Sequence, residues 1–183
     1  YLSVSDKILD LIKKNKKLDW MRLIMHSAPN ESKFLSKICD EGSFKLIKYI
    51  FENYILNIID DFKKSKNFDL NNYNNFFTRI IANIRMKNND LIYIFDKIEN
   101  DVLNKINWGG GNSIIVFAIK FRSLEFIKYL VEKKNQDLLN YDPVNTIHPF
   151  IVSYLLFKED SSSKNAKDCL KYIWNKIKKN IDW

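Results

Sequence analysis

Glycine and proline are scarce, with four Gly and three Pro among 183 residues. A sheet-rich fold with many tight turns needs more of both, so the shortage points to helices. Cysteine occurs only at Cys39 and Cys169, each on the apolar side of a helical pattern. That excludes a disulfide framework and favours buried free thiols in a reducing compartment. No apolar stretch is long enough to cross a bilayer and no secretory leader is visible, though in a piece of a longer array the second point says little. With free thiols, the expected location is cytoplasmic.

Catalytic and ligand-binding signatures are absent as well. The chain has no GxxxxGK[ST], no GxGxxG, no HExxH and no paired CxxC. The GGGN run from Gly109 to Asn112 has no strand before it and no lysine at P-loop spacing. A hairpin tip that needs positive φ explains it better. His26 and His148 are the only histidines, and a Cys–His nucleophile would need one of them beside Cys39 or Cys169. The pairs Asp60-Asp61 and Glu159-Asp160 lie in polar surroundings with nothing to raise a pKa. No enzyme is expected, and no catalytic residue, cofactor or metal.

What the chain has is repetition. The composition is 46% hydrophobic, enough for one domain with a substantial core. From Gly111 to Glu132 it reads GNSIIVFAIKFRSLEFIKYLVE, two short helical patterns broken at Arg122 and Ser123. Ile115, Ala118 and Ile119 share one side of the first. Phe126, Ile127, Leu130 and Val131 share one side of the second. Ser123 stands where it can cap the second helix. Slid back by about 80 positions, the stretch lands on Lys33 to Phe51 without a gap. Ile38, Cys39, Ser43, Ile47 and Tyr49 then fall under Ala118, Ile119, Ser123, Ile127 and Tyr129. Slid back by about 35, it places Thr78 under Ser113, Ile80 under Ile115, Ile84 under Ile119 and Ile92 under Ile127. Slid forward by the same step, it meets His148, Pro149, Phe150 and Ser153. After an insertion, Asp168, Leu170, Tyr172 and Ile173 complete that copy. Residues 5–12 match the second helix alone. The predicted pairs are 33–41 with 43–62, 76–87 with 89–104, one at the Gly111–Glu132 stretch, and one ending in a helix over 165–179. A helix over 4–14 precedes them, residues 18–32 form a long hairpin, and 63–75 is a polar connector.

The order Gly111, Ser113, Ile115, Ala118, Glu125, Phe126, Ile127, Leu130, Val131 resembles the ankyrin repeat. Ile114 stands where that family has proline, and Arg122 where it has glycine. Pro149 and Gly42 keep those residues in other copies. An aliphatic–Asp/Asn–aromatic triplet recurs between pairs, at Leu18-Asp19-Trp20, Ile106-Asn107-Trp108, Leu139-Asn140-Tyr141 and Ile181-Asp182-Trp183. The resemblance implies an all-α, ankyrin-like solenoid of about four and a half repeats over residues 1–183. It is expected to be one array within a longer protein and monomeric in isolation.

The resemblance also implies a function. Such arrays bind protein partners through hairpin tips and the exposed side of each first helix. The candidate partner-binding residues are therefore Trp20, Arg85, Trp108, Phe117, Lys120, Phe121 and Tyr141. The three tip aromatics fit equally well as packing between neighbouring hairpins. Corresponding positions in other copies are Lys37, Asp40 and Glu41, then Ala82 and Met86. The expected role is non-catalytic protein recognition.

Charge supports an alternative. The net charge is +8, and lysines gather after second helices at Lys13 and Lys14, Lys63 and Lys64, Lys133 and Lys134, and Lys176 and Lys178. Cations there complement the helix dipole. Stacked, they would form a basic edge able to attract nucleic acid or anionic membrane. The shortage of arginine, confined to Arg22, Arg79, Arg85 and Arg122, weakens the nucleic-acid version. A purely structural spacer is the third reading.

Overall fold

The structure, a computed structural model, describes residues 4–15, 33–64, 74–106, 108, 113–139 and 148–178. Among the described residues there are helices and turns and no strand. The chain divides into two compact units, Tyr1–Asp90 and Leu91–Trp183. The hairpin over 18–32 and most of the connector over 63–75 lie outside the described residues.

In the first unit, α1 (Val4–Lys14) buries Leu9 and Ile12 and packs on α3. Ser43 donates its backbone N–H to Ser5 Oγ across that contact. After α2 (Lys33–Glu41) the chain turns at Gly42, where a Cβ would collide with the Ile38 carbonyl oxygen. Only glycine lets the backbone close so tightly. Ser43 then caps α3, its side chain accepting from Leu46 N. Helix α3 runs through Phe44–Ile50, a π turn at Phe51–Ile55, and Leu56–Lys64. Spacing by four drifts around an α-helix, and the wider π turn takes up that drift. Ile47, Phe51, Ile55 and Ile59 are consequently all buried. Phe51 stacks on Phe76 of α4 (Asn74–Ala82), ring centroids 6.4 Å apart.

The second pair departs from the sequence pattern. Helix α4 ends at Ala82, and α5 (Asn88–Asp96) follows a five-residue turn. Ile84, predicted to lie with Ile119 in the core, is 94% exposed in that turn. Asn83 is the reason. Its buried amide donates to the carbonyls of Cys39 at 2.6 Å and Gly42 at 3.3 Å, and its Oδ1 accepts from Arg85 N at 2.8 Å. A side chain that bonds this way competes with continued helix. The predicted second helix over 89–104 is likewise two pieces, α5 and α6 (Asn100–Lys105).

The second unit contains α6, α7 (Ile114–Phe121), α8 (Leu124–Glu132), α9 (Pro149–Glu159) and α10 (Lys164–Ile177). α7 packs on α8 and α9 on α10, while α7 also meets α9 and α8 meets α10. Two helical hairpins thus lie side by side. Ser123 occupies the N-cap of α8, but its side chain makes no capping bond to the helix. Asn165 of α10 accepts from Leu124 N instead, at 3.1 Å. At the other end of α8, Asn135 adopts φ 50° and Gln136 N reaches the Leu130 carbonyl at 3.0 Å. This left-handed cap suits asparagine.

Burial tests how the aligned helices correspond. Ile47 and Ile127 are fully buried, whereas Ile92 and Leu170 are only half-buried. In α5 the deep positions belong to Leu91, Ile94 and Phe95, so this copy sits one residue away from the predicted alignment. Tyr93 then matches Tyr129, and Asp96 matches Glu132. In α10 the deep positions belong to Cys169, Ile173 and Ile177. A recurring polar contact obeys the corrected register. Tyr129 donates its hydroxyl to Asp96 at 3.3 Å, and Tyr172 donates to Glu132 at 2.9 Å. Each acceptor ends the preceding second helix.

His148 caps α9, its Nδ1 accepting from Phe150 N at 3.0 Å, with Pro149 at the first helical position. Burial lowers the pKa of His148 below its ordinary value. The folded state therefore binds fewer protons than the unfolded one near pH 6.5. This contribution is full above the unfolded pKa and is lost as pH falls through the folded one. His148→Asn keeps an N-cap acceptor that does not titrate. The variant should lose less stability than the parent between about pH 7 and about pH 5 in urea titrations. An equal loss would contradict the assignment.

Candidate interaction surface on α7

Helix α7 is IIVFAIKF, with Ile114, Ile115, Val116, Ala118 and Ile119 all buried. Five core positions in eight residues leave Phe117, Lys120 and Phe121 for the outer side, at the three- and four-residue spacing of one helical face. Phe117 is half-buried, Lys120 is exposed, and Phe121 is 49% exposed. A line of rings supports them from below. Phe95 lies 6.4 Å from Trp108, Trp108 lies 6.3 Å from Phe117, and Phe117 lies 6.0 Å from Phe121. Aromatic pairs at such separations contribute about 0.5–1.5 kcal/mol each beyond area burial, which favours this placement of Phe121.

Trp108 belongs to that base. It is buried, and its Nε1 donates to the Leu103 carbonyl at 3.4 Å. As a partner-contacting tip residue it is corrected by this burial; the packing alternative applies to it. Arg85 is exposed, but its guanidinium donates to the Glu41 carbonyl at the end of α2. That placement satisfies a helix C-terminus. Met86, a corresponding first-helix position, is buried. Trp20 and Tyr141 lie outside the described residues. In α2 the outward positions are charged and paired, Lys37 with Glu41 at 3.8 Å and Asp40 with Arg79.

Beside Phe121 lies an open depression of about 440 Å³ between the α7–α8 and α9–α10 turns. Phe121, Arg122, Ser153, Leu156, Asp160 and Asn165 are among its lining residues. Burial lowers the Arg122 pKa to about 10, which still leaves it protonated at neutral pH. In the sequence Arg122 reads only as a turn residue. No local signal marks Asn165, because its partner Leu124 lies on the other hairpin.

The lysine clusters are unequal. Lys134 is buried, its Nζ donating to the carbonyls of Asp96 at 3.0 Å and Ile98 at 2.8 Å. It closes the end of α5 and is withdrawn from any basic edge. Lys176 pairs with Glu132 at 3.3 Å, and Lys13 lies over the Tyr49 ring at 5.4 Å. The Tyr172 hydroxyl, followed by Lys176, holds the Glu132 carboxyl below its ordinary range.

Both cysteines are free and buried. Burial pushes Cys169 up to about 11 and raises Cys39 further, so neither thiolate forms near neutral pH. Among the described residues, no His/Cys/Asp/Glu group could hold a metal ion, and no helix is long and apolar enough to cross a membrane. The chain matches no protein-family model, no curated protein and no solved structure.

Proposed function

We propose that the chain is a degenerate ankyrin-like array that recognises a protein partner, without catalysis, through the outward side of α7. One observation carries this reading. Phe121 stands half exposed at the end of a braced row of rings, beside a depression with a charged arginine in its wall. A half-exposed aromatic beside a recess fits an interface anchor, since aromatic side chains including Phe are enriched at the core of protein interfaces. The paired hairpins of the second unit and the repeated tyrosine–carboxylate contact support the repeat-array part of the proposal. The two free thiols favour a reducing compartment. The basic-edge alternative is weakened by the burial of Lys134.

Selection from a displayed library of protein fragments supplies a test ligand. Phe121→Ser combined with Lys120→Glu should weaken its binding by at least about tenfold, the scale of one hot spot, without changing helicity. Raising salt from about 50 to about 200 mM should change affinity by less than about threefold; phosphate contacts would produce a far steeper loss. Binding that survives the double substitution but fails when Lys13, Lys14 and Lys133 become Glu would favour the electrostatic alternative.

A further inference from the structure

Helix α10 spends its apolar side on the core, burying Cys169, Ile173 and Ile177. The opposite side carries Lys164, Lys167, Lys171 and, at the C-cap, Lys178, all exposed. At about 100° per residue these four lie within about 60° of one another, in a row about 21 Å long. Helix α8 of the preceding hairpin is different. Its outward residues Glu125, Lys128 and Glu132 alternate in sign, the ordinary pattern of a solvated helix face. Among the described residues none of the four α10 lysines makes an ion pair; Lys176, on another side of the helix, is the one that meets Glu132. Asp168, the single carboxylate of α10, is half-buried at the edge of the row. Helix stability does not account for the row. The dipole favours Lys178, but Lys164 and Lys167 stand at the N-terminal end, where positive charge is disfavoured. Lys167 and Lys171 also repel each other across one turn.

We propose that this row binds the phosphate backbone of a nucleic-acid duplex without reading its sequence. Charge complementarity requires a polyanion, and the surroundings of the row select among polyanions. Protein interfaces are depleted in lysine at their core, and the row contains no apolar anchor. A helix that enters lipid keeps an apolar face for it, whereas the apolar face of α10 is used inside the protein. Single strands call for aromatic platforms on which bases stack. Trp174 instead packs against Phe150, ring centroids 5.4 Å apart, and the Tyr172 hydroxyl is held by Glu132. What remains is attraction between point charges and a continuous line of phosphates, for which lysine suffices. The row has no arginine to grip base edges. It shares no residue with the α7 surface, so the proposal does not depend on the partner-recognition reading.

Fluorescence anisotropy of a labelled DNA duplex of about 20 base pairs, titrated with the chain to about 200 µM, tests it. Neutralising four phosphates should give log K against log salt a slope of about −3.6, a loss of about 150-fold from about 50 to about 200 mM. Lys167→Gln with Lys171→Gln should halve that slope to about −1.8. Lys7→Gln with Lys14→Gln, the same charge change at exposed positions of α1, should leave it within about 0.5 of the parent. Both variants should keep the parent's helicity. A second duplex of unrelated sequence should bind within about threefold, and a larger preference overturns the proposal. No binding at the highest concentration overturns it, as does equal flattening of the slope by the α1 pair, which would mean that net charge alone acts. Binding to vesicles of phosphatidylcholine and phosphatidylserine, or to polyglutamate, in place of the duplex overturns it too.

Discussion

Leu91→Ala should destabilise the chain by about 2–5 kcal/mol, whereas Ile92→Ala should cost less than about 1 kcal/mol. The two residues are neighbours of nearly equal size and hydrophobicity, so composition cannot separate them. Position on the helix does. Leu91 is fully buried and Ile92 only half-buried, so truncating Leu91 leaves a cavity while truncating Ile92 removes atoms already in contact with water. Ile127→Ala should match Leu91→Ala, because the corrected register gives the two the same depth. Urea midpoints of the three variants decide the matter. If Ile92→Ala proves the costlier of the neighbours, the gapless alignment of the second pair is right and the register described above is wrong.

Asn83→Leu should lower stability by about 2–4 kcal/mol. The Asn83 amide serves two buried carbonyls at the end of α2 and accepts one backbone N–H. Leucine fills similar space but leaves those groups with one partner fewer, and each unsatisfied buried group costs about 1–3 kcal/mol. Asn83→Asp keeps the acceptor for Arg85 N but cannot donate to the two carbonyls, so it should be nearly as damaging. A loss below about 1 kcal/mol for Asn83→Leu would mean that water or a shifted backbone replaces the amide.

Much of the helical layout was legible because apolar spacing is a local property. Helix α1 has the predicted limits, α2 does too, and the α7–α8 hairpin breaks at Arg122 and Ser123 as expected. The second pair was misread for a physical reason. TRIIANIRM carries aliphatics at helical spacing straight through Ile84, and nothing in it says that Asn83 will bond to carbonyls about 40 residues away. Pattern fixes which residues prefer burial, whereas a distant hydrogen-bond partner decides where the helix stops. Lys134 teaches the same lesson. It looks like one member of a solvated cluster, yet its ammonium lies under the end of α5, held by two carbonyls. The candidate surface was partly legible. Phe117, Lys120 and Phe121 follow from the ankyrin resemblance, and they do share one side of α7. The row of rings beneath them was not legible, because Phe95 and Trp108 come from separate stretches of chain.

The most direct test of recognition by α7 is photo-cross-linking from position 121. A photoreactive phenylalanine analogue there, and the same probe at position 11 on α1 as control, would be exposed to the selected protein ligand and to nucleic acid. The account predicts a protein adduct at position 121 only, suppressed by excess unlabelled parent chain and not by the variant Phe121→Ser with Lys120→Glu. Equal labelling from both positions, or adducts with nucleic acid alone, would contradict it.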